Sequence, residues 1–354
     1  MRSFRDLDAL LGRVPAAVVL SLRDVDIGRG AQALFQDQLP SLLTELAQRA
    51  RVQSITASSA LEGIVVPSAA RAARIIDAEV SVLRTRDEKE LAGYRTALDY
   101  LFRDDWHALN VGLLLHVHRL LFSETDIRGG SLKRADNLVV DRSPDGAVRV
   151  RFVPVPAAAT ADYLAELIER YTAAQRELRH HPVLLVGLFV LDLLVIHPFE
   201  DGNGRVARAL TNALLLDAGY EVCQWVSLEQ AIADTADAYY CSLLASTQHC
   251  HEDDADPWPW PWLTYFTGVV AGAYRTFARR AAAERLRGTK QERVQQYVLD
   301  HAAPTFRMAD VRAALPGVSD QTIRLVLDRL KSSGRVVPDG AGRAAAWRHL
   351  PTQA

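Results

Sequence analysis

The sequence is poor in cysteine and methionine, and no apolar run is long enough to span a bilayer. Three cysteines (Cys223, Cys241 and Cys250) cannot all pair, which argues against a disulfide framework and for a reducing, cytoplasmic setting. The longest apolar stretch, 183–196, is interrupted by Asp192 and falls short of the roughly 20 residues a bilayer requires. No membrane partner is therefore expected. The first twenty residues carry Asp6 and Asp8 and lack a clean signal-peptide core. Neither sign of charge dominates: 41 Lys+Arg against 43 Asp+Glu give a net −2. Nothing in the whole-chain charge points to nucleic acid. What remains is a globular chain of 354 residues, 49% apolar and long enough for two or three domains.

The stretch around which the rest is organised is His197-Pro198-Phe199-Glu200-Asp201-Gly202-Asn203-Gly204-Arg205-Val206-Ala207-Arg208. The apolar run 183–196 before it reads as a buried helix. Pro198 disfavours a helical residue before it, so that helix should end near His197. Residues 205–216 have helical spacing and good helix formers. The loop between holds Gly202 and Gly204, which are expected to take positive φ and let a ligand approach the backbone. The N–H groups of Gly202, Asn203 and Gly204, with the positive end of the next helix, describe an anion nest. Asn203 is expected to lend its side chain to the anion as well. Arg205 and Arg208, three apart, share a helix face near it. Asp201 is a hard oxygen ligand of the kind Mg²⁺ favours. His197 is the side chain here able to take up a proton near pH 7. Together these describe a polyphosphate site with a general base.

Upstream, 31–51 carries a helical apolar pattern. In Ser54-Ile55-Thr56-Ala57-Ser58-Ser59-Ala60-Leu61-Glu62-Gly63, Gly63 suits the left-handed residue after a helix. That puts Glu62 at a helix C-terminus, where a carboxylate opposes the macrodipole and calls for a cation from elsewhere. Residues 104–121 are amphipathic, and His116 and His118 within them read as structural. Residues 137–141 and 148–153 are β-rich, flanking the turn chemistry of Arg142-Ser143-Pro144-Asp145-Gly146, so a β-hairpin is expected in an otherwise helical chain. Its edge could accept an extended peptide. Further helices are expected over 160–179, 234–246 (with Tyr239-Tyr240) and 263–280, the last after a tryptophan–proline turn at 257–262. His249-Cys250-His251 with Glu252, Asp253 and Asp254 lacks metal-ligand spacing and reads as a surface loop.

The tail is a separate module beyond a linker near Gly288. Helices over 291–301, 308–315 and 319–332, the last capped by Ser319, precede two strands, 335–337 and 345–347. Residues 289–354 hold ten Lys/Arg against six Asp/Glu, a charge of +4. This resembles a winged helix-turn-helix, with Gln321, Thr322 and Arg324 at the exposed start of a recognition helix.

The string His197 to Arg208 resembles, without a mismatch, the Fic family signature His-Pro-Phe-x-Asp/Glu-Gly-Asn-Gly-Arg-x-x-Arg. The resemblance implies an α-helical domain that transfers AMP from ATP, with Mg²⁺, to a protein hydroxyl. His197 would be the base, Asp201 the metal ligand, and Gly202, Asn203, Gly204, Arg205 and Arg208 the nucleotide site. Tyr239 and Tyr240 are similar to paired tyrosines that line the family's adenine pocket. Ser58-x-x-x-Glu62-Gly63 is similar to the family's inhibitory motif, in which the glutamate pairs with the second signature arginine, here Arg208. A hairpin at 137–153 resembles the flap that holds the target.

The expected fold is thus mainly α: a Fic-type helical core with a β-hairpin flap, plus a small C-terminal winged helix domain. Its parts are an N-terminal helical region over 1–110 with the inhibitory helix near 54–63, a core over 111–280, and the winged helix over 289–354. The function implied is auto-inhibited adenylylation of Ser, Thr or Tyr on target proteins or on the chain itself. Three alternatives stay open: AMP removal, transfer of another phosphate-containing group, and a nucleotide-sensing transcriptional regulator that binds DNA. Whether the chain is a homodimer is also open.

Overall fold

The structure, a computed structural model, describes residues 3–38, 40–103, 106, 108–142, 148–247, 258–286, 290–315, 317–340 and 346–350. The chain divides into two compact units, Met1–Ala278 and Arg279–Ala354. The hairpin turn at 143–147, the loop around His249–Cys250–His251, the linker at Gly288 and the tip of the C-terminal strand pair lie outside the described residues.

The first unit opens with α1 (Leu7–Leu11), α2 (Ala16–Gln38), α3 (Pro40–Ala60), α4 (Ala69–Ile76), α5 (Arg86–Phe102) and α6 (Val111–Leu121). A hairpin of β1 (Val139–Arg142) and β2 (Val148–Phe152) follows, then α7 (Ala157–Glu177), α8 (Pro182–Ile196) and α9 (Asn203–Asp217). The unit continues with α10 (Leu228–Ala233), α11 (Ala236–Thr247) and α12, whose helix runs Trp260–Leu286. Helix α8 is the centre. It is apolar on every side, and all its residues but Pro182 and Leu194 are buried, as a helix without a polar face must be. It packs between α7 and α9, while α3 lies against α5, α9 and α10. Its lone charge, Asp192, accepts hydrogen bonds from Ser3 N (2.9 Å) and Ser3 Oγ (2.8 Å), which ties the chain's start to its core. The tryptophan–proline turn is packed in as expected: Trp262 is 2% exposed and donates from Nε1 to Gly187 O at 2.7 Å.

Some boundaries differ from the sequence reading, for local reasons. The pattern over 31–51 is two helices, because Pro40 starts α3 in the one helical position where a missing N–H costs nothing. The helix expected over 104–121 begins only at Val111, where the Asn110 side chain accepts from Leu113 N. The stretch 234–246 is preceded by a separate short helix, since Ser227 caps α10.

The second unit contains α13 (Lys290–Gln296), a π-turn over Tyr297–His301, β3 (Thr305–Arg307), α14 (Met308–Ala314), α15 (Asp320–Ser332), β4 (Val336–Asp339) and β5 (Ala346–His349). The two strands read from the sequence are joined by a third, giving an antiparallel sheet in the order β3-β5-β4. Three residues are too few to display the alternation that marks a strand. Val294, Val298, Phe306, Val311, Ile323 and Leu327 form its own core. Ser319 caps α15 by accepting from Thr322 N at 3.2 Å, and Gln321 and Arg324 are exposed beyond it.

Phe189 is fully buried in α8, its ring 4.9 Å from that of Tyr171. Phe189→Ala should cost about 3–5 kcal/mol, the usual range for removing a core phenyl group. A guanidinium unfolding curve within 1 kcal/mol of wild type, by the same scale, would show that α8 is not the centre of the core.

Candidate active site

Helix α8 ends where Pro198 requires it to. His197 takes left-handed geometry (φ 51, ψ 61) and its N–H bonds Leu193 O, a conformation a non-glycine residue keeps only under surrounding constraint. Its Nδ1 lies 3.3 Å from Leu194 O. A carbonyl can only accept, so Nδ1 carries the hydrogen and Nε2 keeps its lone pair. Burial pushes the imidazole down to about 4, helped by Lys133 and opposed by the Leu194 carbonyl, Glu62 and Asp201. At neutral pH the ring is therefore an unprotonated base.

The loop that follows is held by its own side chains. Phe199 N donates to Asn203 Oδ1 (2.9 Å), and Asn203 Nδ2 donates back to Phe199 O (2.8 Å). The Asn203 side chain thus closes the turn with its oxygen and one of its two amide hydrogens. Gly202, at φ 81, is the left-handed cap of α9, and its N–H goes to Asp201 Oδ1 at 2.6 Å. The N–H groups available to an anion are consequently those at the start of α9, where Asn203, Gly204 and Arg205 have no preceding turn to accept them.

Gly204 lies inside the helix, not at positive φ as the sequence suggested. Its missing side chain leaves room for the ion pair in this arrangement: a Cβ there would overlap Glu62 Oε1 and stand 3.0 Å from Arg208 NH1. Glu62 follows α3 in a Schellman turn, with Gly63 at φ 76, Gly63 N bonded to Ala60 O and Ile64 N to Ser59 O. Its Oε1 receives Arg208 NH2 at 2.8 Å, and Arg208 also binds Ser58 Oγ (2.9 Å) and Ser58 O (3.0 Å). Arg208 is 4% exposed and Glu62 32%. Burial works to raise the Glu62 carboxyl, but Arg208 outweighs it and the net shift is downward. The cation that the helix dipole called for is Arg208.

Arg205 does not stand beside Arg208 at the nest. It is 1% exposed and its NH1 meets Glu90 Oε2 at 2.6 Å. The same carboxylate receives Arg86 Nε at 2.5 Å. Asp201, half exposed, lies 3.6 Å from Arg205 NH2 and 4.0 Å from Arg86 NH2. Among the described residues no group of three His, Cys, Asp or Glu side chains could hold a metal ion.

Tyr239 and Tyr240 lie beside the Glu62–Arg208 pair, rings 5.0 Å apart. Tyr239 is 3% exposed and packed among Trp262 and Tyr265. Tyr240 donates to Leu61 O at 3.3 Å, and the Arg151 guanidinium of β2 covers its ring at 4.7 Å. The hairpin is therefore pinned next to the site, with Val150 and Val153 each 48% exposed.

Sequence reasoning missed Glu90, Lys133 and the part played by His118. Arg86 and Glu90 at i,i+4 look like an exposed helix pair, and only burial shows otherwise. His118 stacks on Phe199 (3.9 Å, 7° between planes). Its Nδ1 accepts from Gly130 N (2.8 Å), leaving Nε2–H to donate to Asp201 O (3.1 Å). Burial pushes it too down to about 4.

The fold and the site define a helical domain in which a helix N-terminus, a histidine and a β-hairpin come together. Residues 108–215 match the Fic/DOC family, a stretch that includes the loop from His197 to Arg208. It is 29% identical over 186 residues to protein adenylyltransferase Fic of Culex quinquefasciatus, covering 50% of this chain and 34% of that protein. Against protein adenylyltransferase Fic of Drosophila grimshawi it is 30% identical over 152 residues, 40% of this chain and 29% of that one. The chain thus spans about a third of the length of these curated relatives. In structure it is similar to a Fic family protein from Desulfovibrio desulfuricans G20 (TM-score 0.65, 19% identity, 97% of this chain and 98% of that one). A Fic domain containing signaling protein from Bacteroides thetaiotaomicron VPI-5482 gives a TM-score of 0.58 at 18% identity, over 73% and 97% of the two chains. At these identities the structural likeness speaks for the fold.

Two imidazoles held near 4, the buried His118 and the half-buried His197, have a consequence for stability. Below their ordinary value of 6.5 the unfolded chain takes up protons that the folded chain refuses. Stability should hold above pH 6.5 and fall as pH drops through the window from 6.5 to about 4. Urea midpoints at intervals across that window should decline steadily, and a flat profile would contradict the lowered titration of both rings.

Proposed function

We propose that the chain is an auto-inhibited protein adenylyltransferase. The observation that carries this reading is the Glu62–Arg208 ion pair lying across Gly204 at the first turn of α9, with a neutral His197 at the opposite edge of the loop. ATP phosphates rest on the N-terminus of α9. A target Ser, Thr or Tyr, presented along the β1–β2 flap, gives its proton to His197 Nε2. Its oxygen bonds the α-phosphorus as the bond to the bridging oxygen breaks, and pyrophosphate leaves. Base catalysis of this kind contributes roughly 10²–10⁴-fold, with positioning and charge stabilisation supplying the rest.

Asp201 fits the needs of Mg²⁺, which asks only one or two carboxylates of a protein and takes its other ligands from phosphates and water. The ion, when bound, would neutralise phosphate charge. Arg205, turned inward to Glu90, acts on the nucleotide through its field on Asp201 and the helix start, not through direct contact. Arg208 is the phosphate ligand in reserve. While Glu62 holds it, the terminal phosphate has no partner and the α-phosphorus is not aligned. Glu62 is one-third exposed, which also favours a second reading: its free oxygen could orient water for AMP removal. In the tail, the order of helices and strands supports a winged helix, and α15 is the element it would offer to DNA.

Glu62→Gly should leave the protein folded, because Arg208 keeps its two bonds to Ser58. If the inhibited pose is favoured by roughly 2–3 kcal/mol, labelled-AMP transfer should rise on the order of 30–150-fold. Adding Arg208→Ala should cancel that gain. A Glu62→Gly protein no more active than wild type would remove the inhibitory role.

His197→Ala should abolish transfer while leaving ATP affinity within about twofold, since the base touches the hydroxyl and no phosphate. Isothermal titration and labelled transfer on the same preparation test this, and near-normal labelling would rule His197 out as the base.

A further inference from the structure

Lys133 is buried, at 4% exposure, in the segment between Gly130 and β1. Buried ammonium groups are rare because desolvating the charge is costly unless a partner offsets it. The partners here are a carbonyl and an amide: Nζ donates to Ile196 O at 3.1 Å and to Asn137 Oδ1 at 3.0 Å. The backbone of the same residue donates to Pro198 O at 2.9 Å. One residue therefore grips the peptide on both sides of His197. Its side chain holds the carbonyl before the histidine, and its main chain holds the carbonyl after it.

That grip falls where it is needed. His197 is in left-handed geometry, which persists only when its surroundings over-determine it. Ile196 O is also the last carbonyl of α8, at the negative end of the helix dipole, where a cation is favoured. The neighbouring amide extends the clamp: Asn137, which accepts from Lys133, donates to Phe199 O at 3.1 Å. Two residues further on the chain enters β1 of the flap. An apolar side chain could fill the same space without the cost of a buried charge, so a lysine here is best explained by the bonds it makes.

We propose that Lys133 is a positioning residue for the transfer reaction, clamping both flanks of His197 and fixing the base of the flap to the same loop. It touches neither hydroxyl nor phosphate, and acts by holding the Nε2 lone pair in place and by fixing the distance between the histidine and the flap. Three charged groups face His197 from the elements around it: Lys133 from the pre-flap segment, Glu62 from the turn after α3, and Asp201 from the loop. Lys133 is the positive one. Its removal should let His197 take up a proton at higher pH.

This rests on the reading of His197 as the base, and the test separates the two. In the released Glu62→Gly protein, Lys133→Met keeps the side-chain length without the charge, and Lys133→Arg keeps both charge and donor. Transfer of labelled AMP is followed with varied ATP, alongside the melting temperature. Lys133→Met should lower kcat by roughly 30–100-fold, the scale of a misplaced reacting group, with KM for ATP changed less than about twofold. Lys133→Arg should recover most of the loss. Unchanged kcat in Lys133→Met overturns the proposal. So does a loss that tracks a lowered melting temperature and is not recovered by arginine. If Lys133→Met does not fold, Lys133→Gln, which retains one donor, is measured against the same criteria. In the otherwise wild-type chain, nitrogen NMR of the His197 ring gives a readout that needs no activity. Its titration should move up in Lys133→Met, and an unmoved curve overturns the proposal. If the Glu62→Gly parent itself transfers no AMP, the adenylyltransferase reading fails and the ring titration alone decides for or against Lys133.

Discussion

A proline placed after a fully buried helix is the constraint on which the site depends. Helix α8 has no polar face, so it must run through the middle of the unit, and Pro198 stops it there. The residue that absorbs the stop is His197, forced into left-handed geometry while still flanked by core. An imidazole at that position is desolvated and remains neutral at neutral pH, with its Nδ1 hydrogen committed to the Leu194 carbonyl. The next helix starts only six residues later, at Asn203. The proposed base and the proposed anion site thus both trace to one helix break.

Two arginines one helical turn apart on α9 meet two different fates, and the difference is hydration. Arg205 and Glu90 are 2% and 1% exposed. A pair so dry cannot be opened without leaving a bare charge, which costs about 3–5 kcal/mol. It belongs to the architecture. Arg208 is equally buried, but its partner Glu62 is 32% exposed and sits on a turn, not within a helix. An incoming phosphate could take that carboxylate's place, and the carboxylate would pass to water. The body of α3 offers no such freedom: Ile55, Ser58 and Ser59 are fully buried, and Ser54 is bonded to Ser227. Release of Arg208, in the proposed mechanism, is an event of the turn Leu61–Gly63 and not of the whole helix.

Neutral histidines appear twice around the loop with separate duties. His118 stacks flat on Phe199 and donates to the Asp201 carbonyl, so it braces the loop from beneath. His197 presents a lone pair above it. Lys133 and Asn137 bind the loop's carbonyls from the flap side. The signature residues are therefore held on one side by His118 and on the other by Lys133 and Asn137, side chains that are not part of the signature.

What the sequence by itself determined is what depends on neighbours along the chain. The end of α8 at His197, the left-handed Gly202 and the Schellman turn at Gly63 follow from Pro, Gly and their spacing, and the Glu62 dipole mismatch announced a distant cation. The same reading erred where a residue's local options were several. Gly204 could have served positive φ, yet it serves clearance for Glu62 and Arg208. Only the tertiary structure decided that Glu90 lies under Arg205, that Lys133 spans His197, and that Arg151 covers Tyr240. These contacts join residues far apart in sequence, each of a type that is commonest at the surface. Burial is a property of the packed whole, and no local pattern of charge or periodicity carries it.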